Sequence, residues 1–114
     1  MSREPWTLTA RVGSKVEHSH HETLEAAIGA LSACLEALEP DASRDEVRFL
    51  ARRIEPVQQV AARLELAGPD GRRGGVDLRG DGSAEAFSGR LRRRLIEPRR
   101  GESAADALRR ELAT

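Results

Sequence analysis

The chain has 114 residues, with 19 basic and 19 acidic side chains, three histidines and one cysteine. A neutral chain of this length makes at most one compact domain and carries no large net field; no stretch reaches the ~20 apolar residues of a membrane-spanning helix. Leu, Ile, Val and Phe supply 24 residues. That is just above the roughly 20% below which disorder is expected, and the high net charge that accompanies disorder is missing, so a single folded domain over 1–114 is expected. The N-terminal residues lack the apolar run of a secretory signal, and Cys34 has no second cysteine to pair with, which together point to the cytoplasm. The excess of arginine over the single Lys15 is read as codon composition and carries no functional weight.

In chain order, Trp6, Leu8, Ala10 and Val12 alternate with Thr7, Thr9 and Arg11, the period of a half-buried strand. A three-residue loop, Gly13-Ser14-Lys15, would set Val12 opposite Val16 and continue the apolar face through His18 and His20. Leu24, Ile28, Leu31, Leu35 and Leu38 then recur at spacings of four and three, one stripe down a helix of about four turns. Thr23 caps its start and Pro40 prevents its continuation, while Gly29 is a flaw that suits close packing on the sheet.

Ser43-Arg44-Asp45-Glu46 reads as a capping box, and Val47, Leu50, Ala51 and Ile54 follow at helical spacing; a strand with Val47, Phe49 and Ala51 on one face is the rival for 44–55. From Val57, the alternation of Val60, Ala62, Leu64 and Leu66 reads as a strand ended by the glycine-rich loop Gly68 to Gly75. A short strand from Val76 to Arg79, a turn at Gly80-Asp81-Gly82 and a longer strand from Glu85 to Ile96 complete a three-stranded meander. Ser103 caps a final helix with Ala104, Ala107, Leu108 and Leu112 on one face. The expected fold is α+β, an antiparallel sheet of N-terminal hairpin plus meander packed on a long helix, with a short C-terminal helix.

Three features bear on chemistry. His18 and His20 lie two apart on a strand, so their imidazoles share one face and could converge on a divalent ion with a carboxylate or Cys34 as third ligand. Their place on the apolar face and the lack of paired Cys or His spacing elsewhere favour a structural role, and no metal or other cofactor is expected. Gly71-Arg72-Arg73-Gly74-Gly75 has the composition of an anion nest, but reads more simply as a flexible loop with solvated arginines. From Gly89 to Arg100, Arg90, Arg92, Arg93, Arg94, Arg99 and Arg100 face only Glu97. On one strand Arg90, Arg92 and Arg94 would form a guanidinium stripe, extended by Arg99 and Arg100, suited to phosphates; Glu65 and Asp77 on adjoining strands would neutralise it. Trp6, Phe49 and Phe87 all fit apolar phases, leaving few rings on which bases could stack.

No G-x-S-x-G turn, P-loop or dinucleotide fingerprint is present, so catalysis is not expected. The favoured expectation is a non-catalytic binding or assembly module, acting on a protein partner or on copies of itself through an exposed sheet edge, with no membrane partner. The alternative is a binder of nucleic acid or another anionic ligand through the arginine-rich segment, which ranks second.

Overall fold

The computed structural model describes residues 4–38, 60–89 and 92–113. The segment whose helix and strand readings compete, 44–55, lies outside the described residues, as do Phe49 and Arg90.

Six strands form one antiparallel sheet: β1 (Trp6–Val12), β2 (Lys15–His21), β3 (Val60–Ala67), β4 (Arg73–Arg79), β5 (Ala84–Ser88) and β6 (Arg94–Ile96), in spatial order β2-β1-β3-β4-β5-β6. The N-terminal hairpin and the meander therefore share a sheet, joined through β1 and β3. Two helices, α1 (Leu24–Ala37) and α2 (Ala104–Leu112), cover the same face. α1 lies over β1 and β2, α2 over β4, β5 and β6, and the helices touch each other.

The alternation in the strands explains which face they cover. Cross-strand partners point to one side of a sheet, and the register aligns Ala10, Leu64, Val76, Ala86 and Ile96 in one row across five strands. All five are buried. Leu31, Leu64, Leu66, Leu78 and Leu108 are almost wholly removed from water and form the centre of the core. Burying each such side chain is worth roughly 1.5–3 kcal/mol.

Local signals set the helix ends. The Thr23 hydroxyl accepts a hydrogen bond from the Ala26 N–H, and the stripe expected for α1 is the buried one, with Ile28, Leu31 and Leu35 inside and Leu24 and Leu38 at its margins. Gly29 is exposed, with nothing within 4 Å of a Cβ added there, so it contributes no close packing. In α2 the Ser103 side chain accepts from the Asp106 N–H while the Asp106 carboxylate accepts from the Ser103 N–H. This reciprocal box satisfies two donors that every helix start leaves open.

Charged side chains hold α2 in place. Arg110 donates to the Glu102 carboxylate at 3.1 Å and to the Glu97 carbonyl, and Arg72 donates to the Leu112 carbonyl at the helix C-terminus. The bond from Arg110, with that from the Arg99 N–H, holds the Glu102 carboxyl below its ordinary value of 4.5. Hydrogen bonds with Ser103 hold Asp106 below 3.8. A carboxyl whose folded value is depressed contributes stability above its unfolded value and loses it as pH falls through the folded one. The melting temperature is expected to fall on acidification below about pH 4.5, and Glu102→Gln to lessen that fall; thermal melts across pH 6 to 2 measure both.

Several expectations are corrected. The first hairpin turns in two residues, Gly13 and Ser14, not three: Gly13 adopts φ 59°, the left-handed conformation of the first position of a type II′ turn, and Val12 pairs with Lys15. The strand expected from Glu85 to Ile96 breaks after Ser88, because Gly89 at φ 91° turns the chain before β6. Conversely, β4 starts at Arg73 rather than Val76, so Gly74 and Gly75 belong to the sheet and not to a flexible loop. Asp70 at φ 60° and Gly71 at φ 73° make the compact turn instead.

Candidate functional site

The two-residue turn moves the histidines. His18 lies opposite Thr9 and His20 opposite Thr7, on the sheet face away from both helices rather than on the apolar one. Each imidazole is anchored there, His18 Nδ1 at 3.0 Å from the Thr9 hydroxyl and His20 Nδ1 at 3.2 Å from the Thr7 hydroxyl. The apolar phase that sequence assigned to β2 fails for a physical reason: β2 is an edge strand, exposed throughout its open face and at most half-buried, at Ser19 and His21, on its helix side, so no core demands a phase from it.

Opposite the helices, the central strands carry a charged layer over one aromatic ring. Phe87 is buried although it faces this side: its ring sits above Gly75, and the guanidinium groups of Arg93 and Arg63 lie 4.8 and 5.7 Å from its centroid. Arg63 also forms a two-pronged pair with the buried Asp77 carboxylate, at 2.6 and 2.9 Å. That hydrogen bond raises the Arg63 pKa against the opposing effect of burial. Arg11 pairs with Glu65 at 3.5 Å and Arg79 with Glu85 at 2.9 Å. Phe87 thus departs from its expected apolar phase, because two cations and a missing Cβ at Gly75 shield it from water.

The arginine-rich segment is not a stripe. Arg92 lies in the bend before β6, Arg94 pairs with Ser88 in the sheet, and Arg99 and Arg100 follow Pro98. Arg92, Arg94, Arg99 and Arg100 are exposed and form no ion pair among the described residues. Their expected neutralisers are taken: Glu65 by Arg11 and Asp77 by Arg63, each reached from an adjacent strand. Sequence reasoning missed these two arginines, which are separated from their partners by 54 and 14 positions; the alternating phase of β3 was the one available signal.

Cavities are shallow. One of about 150 Å³ on the open face is lined by Thr7, Thr9, Arg11, Glu65, Arg73 and Gly89. Another of about 350 Å³ lies beside β5 and β6, with Glu85, Leu95, Glu97 and Ala104 in its wall. Among the described residues no three His, Cys, Asp or Glu side chains gather as a metal set, and no helix is long and apolar enough to cross a membrane. Cys34 does not join the histidines: it packs against the core on the helix side, where burial and then Glu17 push its thiol pKa up, keeping it protonated.

The outer edge of β2 has no neighbouring strand among the described residues. Its two-residue turn makes Val12 and Lys15 the hydrogen-bonded pair that closes the hairpin. Ladder bonds to β1 alternate from there, so they fall on Lys15, Glu17, Ser19 and His21, and the N–H and C=O groups of Val16, His18 and His20 face outward. Comparison with protein-family models, curated proteins and solved structures finds no match to this chain.

Proposed function

We propose that the chain is a non-catalytic assembly module that joins a second copy of itself by pairing β2 edge to edge. The observation that carries this reading is the seven-residue strand β2, with β1 as its one neighbour in the sheet among the described residues. An unpaired edge of that length is a template for another strand, and natural sheets usually blunt such edges with charged side chains, of which β2 has Lys15 and Glu17, or with proline, a bulge or a covering element. β2 has no proline, and its register with β1 runs unbroken from Val12↔Lys15 to Trp6↔His21. The exposed Val16, 44% accessible, adds apolar area at the same edge.

Light scattering on the full chain tests the reading, with a dimeric mass expected. His18→Pro is expected to return the mass to that of one chain while the far-ultraviolet circular dichroism stays unchanged. Proline at this position removes an N–H that faces outward and leaves the ladder to β1 intact. A monomeric parent, or a dimer that survives the proline, overturns edge pairing through β2. The anionic-ligand alternative retains the exposed Arg92, Arg94, Arg99 and Arg100, but it loses the strand that was to align them and ranks second.

A further inference from the structure

We propose that His18 and His20 of two edge-paired copies together bind one zinc ion, in a site that a single chain leaves incomplete. The inference rests on β2 edge pairing and specifies its register and its ligand.

Each imidazole is already held through one of its ring nitrogens. In the tautomer that protonates Nδ1, each ring donates to a threonine hydroxyl, Thr9 for His18 and Thr7 for His20, and leaves Nε2 with a free lone pair. An outer hydrogen bond of this kind fixes the ring and raises its basicity as a ligand. No other partner of either Nε2 is present among the described residues. The two rings stand on one face of the strand, about 6.7 Å apart at their Cα atoms from two steps of strand rise.

Two imidazoles do not complete a structural zinc site, which takes four ligands. Among the described residues no third ligand gathers with them: Cys34 lies on the other side of the sheet, and Glu17 and His21 lie on the helix-side face with Ala10 and Trp6. A second copy supplies the missing ligands. Antiparallel pairing of two β2 strands about Ser19 sets His18 opposite the partner subunit's His20 and His20 opposite the partner subunit's His18. Both positions have outward backbone groups, so these are hydrogen-bonded pairs with Cα atoms about 5.5 Å apart. Opposite residues share a face, which brings four imidazoles together on the open side of a twelve-stranded sheet. Nitrogen ligands at about 2.0–2.1 Å suit zinc.

Side-chain pairing favours this register over its neighbour. Pairing about Ser19 places Glu17 opposite His21 of the partner subunit, twice by symmetry, on the helix side. Pairing about His18 instead places Lys15 opposite His21 of the partner subunit and scatters the imidazoles, setting His20 against the partner subunit's Val16. The first register sets a carboxylate opposite an imidazole N–H that can donate to it, and it alone of the two keeps the four imidazoles together.

The test uses the full chain without a histidine tag, stripped with chelator and then titrated with zinc, with sedimentation and metal analysis as readouts. One zinc per two chains is expected, with the dimer dissociation constant falling by about tenfold or more, because an ion that binds only the dimer shifts the equilibrium by mass action. Cobalt in place of zinc is expected to give the intense visible bands of a tetrahedral centre. His18→Gln with His20→Gln is expected to abolish metal uptake and these bands while melting like the parent without metal. A dimer that takes up no zinc, or whose double variant responds to zinc unchanged, overturns the metal site and leaves edge pairing standing. A chain that is monomeric with and without zinc overturns both. Zinc bound one per chain without association overturns the shared site.

Discussion

Leu31→Asp is expected to abolish cooperative unfolding. Leu31 is at 0% accessibility in the middle of α1, between the sheet and the second helix. Truncating such a leucine to alanine costs about 2–5 kcal/mol, because the lost transfer free energy adds to the cavity left behind. Aspartate removes the same methyl groups and adds a carboxylate that must either be desolvated without a partner or take up a proton. The total stability of a domain is about 5–15 kcal/mol, so this one site is enough to remove the folded state. Circular dichroism during a thermal ramp is the measurement, with a sloping trace and no transition expected. Leu31→Ala, run beside it, is expected to retain a transition at lower temperature. An unchanged melting temperature for the aspartate variant would show that α1 does not cover the core.

The second large effect is expected at Gly75. A Cβ added there would lie 2.7 Å from Cζ of Phe87 and would also strike the carbonyl oxygen of Leu64. The Leu64 oxygen belongs to the neighbouring strand, so it cannot swing aside as a flexible side chain would. Gly75→Val is therefore expected to lift the Phe87 ring out from beneath Arg63 and Arg93 and to destabilise by about 1–3 kcal/mol, the usual range for overpacking. For a domain of this size that corresponds to roughly 4–12 °C in melting temperature. Gly29→Ala gives the opposite sign as a control, a gain of up to about 1 kcal/mol, since the site is exposed, helical and has nothing within 4 Å. Denaturant titration of the three proteins measures both changes. A Gly75→Val variant as stable as the parent would mean that the ring is not seated on the glycine.

Sequence was sufficient for α1, for β1, for the α2 cap at Ser103 and for the α+β class, because each of these obeys a local rule. Leu24, Ile28, Leu31 and Leu35 recur at the helical period since one face of α1 must meet the core, and Trp6, Leu8 and Ala10 alternate since one face of β1 must do the same. The tertiary structure decided everything that depends on what lies opposite. β2 is an edge with no buried face, so its periodicity carries no information. A turn of two residues rather than three reversed the face of His18 and His20, which is what aligned them with Thr9 and Thr7. Phe87 faces away from the helices because Gly75 leaves room for its ring and Arg63 and Arg93 cover it, three residues far apart in the chain. Glu65 and Asp77 were legible as acids on strands; that Arg11 and Arg63 claim them follows from β3 lying between β1 and β4. Hydrophobic period reports the burial of a face, whereas partner identity across a sheet is set by strand order and register, which a single segment does not encode.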